Sequence, residues 1–186
     1  RQKEGLEINS INAGLRVLRW SLRLAEEWNL IAKRSKINLL RGGRKRDRII
    51  SATEEAAYLS VAQEPLRSIT LLLCDTACRP SEIFSLTWDA MLFDLGRFGA
   101  IRIRKGKTSS ATRTVPLTER CGLLLQSRWI AAGKPDAGFI FPALRSYSGH
   151  IERGSLHYQH RLALTLCGVA PFVFYRFLFC FCRSIA

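Results

Sequence analysis

Arg79 and Glu82 are the residues of this sequence best placed to do chemistry. Pro80 suits the first turn of a helix, so Arg79 falls at a helix N-terminus, where unpaired backbone N–H groups and the dipole favour an anion. Glu82 lies one turn along the same face and can hold the guanidinium through a charge-assisted bond. A planar guanidinium held in this way matches two oxygens of a tetrahedral phosphate. Taken alone, the two residues are an ordinary exposed helix pair, so the surrounding segment has to decide. Downstream, Lys105 and Lys107 fall in the polar stretch Lys105-Gly-Lys-Thr-Ser-Ser-Ala-Thr112, which reads as a hairpin tip, and Arg113 follows directly.

The elements that must position these groups are legible from periodicity and caps. Ser51-Ala-Thr-Glu54 is a capping box opening a helix to about Gln63. Pro65 suits the first turn of a second helix, Leu66 to about Asp75, with Ile69, Leu72 and Leu73 inward; Pro80 starts a short third, Ser81 to Leu86. After Trp88 the period becomes alternating, which predicts strands at Met91–Phe93, Ala100–Arg104 and Arg113–Pro116. Helix resumes from a Thr118 cap to about Ala132 and again from Ser155 to Cys167, ended by Gly168. The expected fold class is mainly α with a small antiparallel β-sheet (α+β).

Upstream, Ile8, Ile11, Leu15, Leu18, Leu22 and Ala25 recur at steps of three and four, an amphipathic helix whose other face carries Arg16, Arg19, Arg23, Glu26 and Glu27. Such a helix cannot bury its stripe alone, so its partners are expected upstream. Lys33 to Arg48 holds eight basic residues against Asp47 and includes Gly42-Gly43, the composition of a basic linker. The expected organisation is therefore 1–32 as the end of one domain, 33–48 as linker and 49–186 as a second domain.

Charge narrows the partner. The 186 residues carry 29 Lys and Arg against 15 Asp and Glu, a net +14, which points to a polyanion, most often nucleic acid and less often an anionic membrane. With 47% hydrophobic residues the chain can build a core, and wholesale disorder is excluded. No apolar run reaches the roughly 20 residues of a membrane span. The N-terminus lacks a signal-peptide core and does not begin with Met, as if cut from a longer chain. Cysteines at 74, 78, 121, 167, 180 and 182 lack zinc-site spacing, so no metal is expected. Cys74, Cys121 and Cys167 sit in apolar helical patterns and read as small hydrophobes in a reducing, cytoplasmic compartment.

The segment Ala77-Cys-Arg-Pro-Ser-Glu-Ile-Phe-Ser-Leu-Thr-Trp-Asp89, with the strands and then Arg113-Thr-Val-Pro-Leu117, resembles the catalytic domain of tyrosine recombinases, the phage-integrase family. The match runs through Arg79, Glu82, Leu86, Trp88, Lys107, Arg113, Val115, Pro116 and Leu117; Asp89 departs, standing one residue before the family's Asp. Ile11-Asn-Ala-Gly-Leu-Arg-Val-Leu-Arg19 and Ala25-Glu-Glu-Trp28 look like the last helix of the family's DNA-clamping core-binding domain.

The resemblance implies site-specific DNA recombination and integration for a mobile element, by a metal-free, cofactor-free transesterification through a phosphotyrosine. In that scheme Arg79 neutralises the scissile phosphate as charge grows, Glu82 orients it, and Lys107 is the general acid for the leaving oxygen, with Lys105 the competing candidate. Arg102, Arg104 and Arg113 are expected on the DNA backbone, along with the linker residues Arg41, Arg44, Lys45, Arg46 and Arg48. The partner is double-stranded DNA, with a homo-oligomer on DNA in the intact family.

The family next carries a His-x-x-Arg box and a nucleophilic Tyr. Where the box is due, this chain gives Arg176-Phe-Leu-Phe-Cys-Phe-Cys-Arg-Ser-Ile-Ala186, so the expectation is a frameshifted or truncated recombinase that does not cleave. Arg176 and Arg183 are weak stand-ins for the missing arginine. Tyr58, Tyr147, Tyr158 and Tyr175 fall outside the nucleophile's place, Tyr175 reading as a packing residue; His157 and His160 read as surface or DNA-facing. The aromatic tail Phe172 to Cys182 is an aggregation hazard unless it packs. The alternatives are a non-catalytic DNA-binding module or, less favoured, a basic RNA-binding protein.

Overall fold

The computed structural model describes residues 6–42, 48–104, 112–143 and 146–179. The expectations for Arg44, Lys45, Arg46, Lys105, Lys107, Cys180, Cys182 and Arg183 lie outside the described residues. The chain divides into two compact units, Arg1–Asp47 and Arg48–Ala186.

In the first unit, helix α1 spans Ile8–Glu27, as its apolar spacing predicts. Ile11 and Asn12 are buried. The Asn12 amide makes two bonds to one peptide: Nδ2 donates to the Leu40 carbonyl at 2.9 Å, and Oδ1 accepts from the Leu40 N–H at 2.8 Å. That pairing returns the segment after the helix onto α1. Of the rest of the stripe, Ile8, Leu15, Leu22 and Ala25 are half-buried and Leu18 is exposed, as are Val17 and Trp20 outside it.

The second unit is built around a single buried helix. Helices α2 (Ala52–Val61), α3 (Leu66–Thr76) and α4 (Pro80–Phe84) are followed by strands β1 (Met91–Leu92), β2 (Ala100–Ile103) and β3 (Arg113–Pro116), then α5 (Glu119–Ala131), α6 (Arg153–Cys167) and a terminal 3-10 turn, Phe174–Phe179. Leu66, Ile69, Leu72 and Leu73 of α3 are all fully buried, because α2, α4, α5, α6 and the terminal turn all pack on it. Each cap predicted from sequence is made. The Ser51 hydroxyl accepts from the Glu54 N–H while the Glu54 carboxylate accepts from the Ser51 N–H, and the Thr118 hydroxyl caps α5.

The strands form an antiparallel sheet in the order β1-β2-β3, with Met91 opposite Ile101 and Ile103 opposite Arg113. Period-two alternation on β2 buries Ile101 and Ile103 and turns Arg102 outward. Cys74, Cys78 and Cys121 are buried and in no disulfide. Burial pushes the Cys121 thiol up to about 12, so it stays protonated. Among the described residues no helix is long and apolar enough to cross a membrane.

A glycine inside a helix normally weakens it. Gly122 of α5 is there because the backbone of another segment comes too close for a side chain: a Cβ would lie 2.4 Å from the Phe98 carbonyl oxygen. Gly122→Ala is therefore expected to destabilise by about 1–2 kcal/mol. The overpacking cost exceeds the roughly 1 kcal/mol of helix propensity that alanine restores. A urea melt followed by circular dichroism checks the sign.

The aromatic end of the chain packs rather than projecting. Phe172, Phe174 and Phe177 are buried, with Phe177 5.4 Å from the Tyr58 ring and edge-on to Phe172 at 5.0 Å. Tyr175 faces outward instead, 49% exposed, which corrects the expectation that it packs. The alternation is that of a short turn with one wet side.

His160 also corrects its expectation. It is buried, neither surface nor DNA-facing, while His157 three residues earlier is exposed. Its Nε2 lies 2.8 Å from the Phe172 carbonyl, which can only accept, so Nε2 carries the proton. Nδ1 is then an acceptor for the Tyr58 hydroxyl at 2.6 Å. The chain Tyr58–His160–Phe172 ties α2, α6 and the terminal segment together. Burial pushes the imidazole below its ordinary value, which keeps it neutral.

Candidate functional site

The site begins at the end of α3. Ala77 takes a left-handed conformation, φ 49°, and turns the chain sharply into α4. A side chain is mildly strained there, so Ala77→Gly is expected to raise stability by about 0.5–1 kcal/mol, read as a higher urea midpoint at unchanged slope. The turn buries Cys78 and leaves Arg79 as the residue preceding Pro80.

Glu82 is the hub. Its side chain is only 6% exposed, and two arginines converge on it. Arg113, carried in from β3, donates Nη1 to Oε1 at 3.1 Å and Nη2 to Oε2 at 2.7 Å. Arg79 donates Nη1 to Oε1 at 3.1 Å and its backbone N–H to Oε2 at 2.8 Å. Those four bonds fill the acceptor positions of a carboxylate. Burial alone would raise the Glu82 carboxyl; the bonds from Arg113 and Arg79 outweigh it and hold the group below its ordinary value. The carboxylate is therefore ionised and the cluster carries two positive charges against one negative.

The two guanidiniums differ in exposure. Arg79 is 60% exposed, so most of its fork faces solvent. Arg113 lies over the buried Cys78, with Nη2 3.8 Å from the thiol sulfur. Burial pushes that thiol up, and the neighbouring guanidinium does not reverse it. Arg79 and Glu82 thus stand as the sequence places them. Arg113, expected on a DNA backbone, gives two of its N–H groups to Glu82 and keeps a partly exposed side chain.

Beside Glu82 opens a cleft of about 550 Å³, whose lining includes Asp89, Arg102, Arg104, Ser148 and His150. Arg102 is exposed on its wall. Arg104 is held by the Asp89 carboxylate and donates Nη2 to the Asp89 carbonyl at 2.9 Å, so Asp89, a departure from the family pattern in sequence, anchors a β2-end arginine. Arg48 is turned inward as well. Nη1 donates to the Ala170 carbonyl at 2.5 Å and Nη2 to Glu54 at 2.6 Å, so its guanidinium straps the terminal segment to the α2 cap rather than projecting. Arg41 is exposed in the first unit.

Sequence reasoning missed Arg113 as the chief partner of Glu82, Asp89 as the partner of Arg104, and Arg120, which bonds Asp75, with Nε–Oδ2 at 2.7 Å, and also reaches Glu55. None of these pairs has a local spacing that could reveal it. Of the tyrosines, Tyr58 is buried and committed to His160, whereas Tyr147, Tyr158 and Tyr175 are exposed. Among the described residues no three metal-ligating side chains cluster.

The model of the phage integrase family matches residues 43–162. This chain belongs to the phage integrase family. Its fold is that of a tyrosine-recombinase catalytic domain. The Tn1549 transposon integrase, solved in complex with transposon right end DNA, superposes with a TM-score of 0.79 at 18% identity, covering 99% of this chain and 68% of that one. The same integrase with a circular intermediate DNA gives 0.77 at 16%, covering 99% and 68%. XerA recombinase gives 0.61 at 18%, with 98% of this chain and 64% of that chain covered. No curated protein matches the chain. The family match and the structural likeness bear out the resemblance read from the Arg79 to Leu117 segment, and the mainly helical fold with one small sheet agrees with that reading.

Proposed function

We infer that this integrase-family chain binds double-stranded DNA and places Arg79 on a backbone phosphate. The observation that carries the reading is the cluster on Glu82: a buried, ionised carboxylate that takes one guanidinium in a two-pronged bond and presents another, more exposed one at the surface. An exposed, oriented fork backed by net positive charge is built for a phosphodiester. The net charge of +14 supplies the wider attraction.

In this reading Arg79 neutralises the non-bridging oxygens, Glu82 fixes its direction, and Lys107, with Lys105 as competitor, serves as the proton donor to the leaving oxygen. Arg102 and Arg41 are phosphate contacts. Residues 1–32 belong to the DNA-clamping domain, 33–48 to a basic connection, and 49–186 to the catalytic-type domain, working in the cytoplasm. Tyr58 is not the nucleophile, because its hydroxyl is buried against His160. The chain is expected to bind without cleaving.

Fluorescence anisotropy with mixed-sequence duplex tests this. Binding is expected to weaken steeply with salt, and Arg79→Ala to cost about fivefold, since backbone contacts elsewhere carry most of the affinity. A nicked suicide duplex is expected to trap no covalent adduct. Preferential binding of single-stranded RNA over duplex DNA would replace this reading with that of an RNA-binding protein.

A further inference from the structure

We propose that Arg113 is a positioning residue whose task is to keep Arg79 available to phosphate. The proposal rests on the reading of Arg79 above and assigns a new role to its neighbour. A carboxylate with a single arginine beside it takes that arginine in a two-pronged bond, which neutralises the pair and turns the guanidinium edge away from anything else. Glu82 does not do this to Arg79. Its two-pronged partner is Arg113, at 3.1 and 2.7 Å, and Arg79 is left with one side-chain bond, from Nη1 to Oε1 at 3.1 Å. Arg113 therefore occupies the position from which Glu82 would otherwise capture the whole Arg79 fork.

Charge leads to the same assignment. Glu82 and Arg79 alone sum to zero; with Arg113 the cluster is positive, and Arg79 is its most exposed member. The Arg79 backbone N–H also binds Oε2, so Glu82 cannot rotate to follow Arg79 without losing a second bond. Arg113 reaches the cluster from β3, directly after residues 105–111, so strand and helix are tied at this one carboxylate.

The test is a double-mutant cycle read on duplex affinity by anisotropy at two salt concentrations, with folding of each variant checked by circular dichroism. Arg79→Ala is made in the wild type, in Arg113→Met and in Arg113→Lys. Lysine keeps the charge and the stem but lacks the fork. In the wild type Arg79→Ala is expected to cost about fivefold; in both Arg113 backgrounds it is expected to cost less than about twofold, because Arg79 is already withdrawn. Arg113→Lys is expected to lower the salt slope by about one phosphate contact, as Arg79→Ala does in the wild type, although the net charge is unchanged, which a purely structural residue would not cause. If Arg79→Ala costs the same in all three backgrounds, the positioning role is wrong while DNA binding stands. If the wild type does not bind duplex at all, the DNA reading fails and this role with it.

Discussion

Phe177→Ala is expected to remove about 3–5 kcal/mol of stability, the range for emptying a fully buried aromatic site. Phe177 is completely buried although it lies in the final described turn of the chain. Its ring packs against Tyr58, Phe172 and, at 6.4 Å, Phe174, and the turn that carries it lies on α3. The cavity cannot close by shifting one neighbour, because Tyr58 and Phe172 are both tethered to His160. A loss near 3 kcal/mol corresponds to a drop of roughly 10 °C in melting temperature for a unit of this size. Tyr175→Ala, on the wet side of the same turn, is the control and is expected to change stability by less than about 0.5 kcal/mol. Equal effects of the two substitutions would mean that the terminal turn is not part of the core.

That contrast also marks what could be read from the sequence and what could not. The helices, their caps and the three strands were legible because each is specified locally, as with Ser51 and Glu54, Thr118, or the alternation of Ile101, Arg102 and Ile103. Arg79 and Glu82 were legible for the same reason: one helical turn separates them, and the bond between them forms as spacing requires. The partners that complete the site were not. Arg113 reaches Glu82 across 31 residues, Arg104 reaches Asp89 across 15, and Arg120 reaches Asp75 across 45. A basic residue in a basic chain reads as a contact for an external anion, yet Arg48, Arg104, Arg113 and Arg120 each bond acidic groups of the protein itself. His160 misled in the opposite way. A lone polar residue on a helix reads as exposed, and only the fold shows that a tyrosine hydroxyl and a peptide carbonyl wait on either side of the ring. The tail read as a hazard because nothing local tells an aromatic run that packs from one that does not.

Glu82→Gln is expected to cost about 3 kcal/mol at neutral pH and to abolish the contribution of Arg79 to DNA affinity. Removing one partner of a buried ion pair typically costs 3–5 kcal/mol, and the lower end applies because Arg79 is largely in water. Glutamine keeps the volume but replaces an accepting oxygen by an NH2, which confronts the Arg113 or Arg79 N–H groups donor to donor. Two guanidiniums are then left together without their counter-charge. The effect carries a pH signature. Glu82 is held below its ordinary value of 4.5, so the stability it contributes is complete above that pH and is lost as the pH falls through the lowered folded value. Asp75, also lowered against the pull of burial by Arg120 and Thr118, follows the same sense, and so does His160, whose depressed value makes the native state lose stability once the pH drops below 6.5. Urea melts from pH 7.5 down to 3 should therefore show the wild type weakening throughout, with the gap between wild type and Glu82→Gln narrowing only in the most acid part. Asp75 and His160 are intact in both proteins and cancel in that difference. A gap that is below about 1 kcal/mol at neutral pH, or that does not change with acid, would mean that Glu82 is not the ionised centre on which both arginines depend.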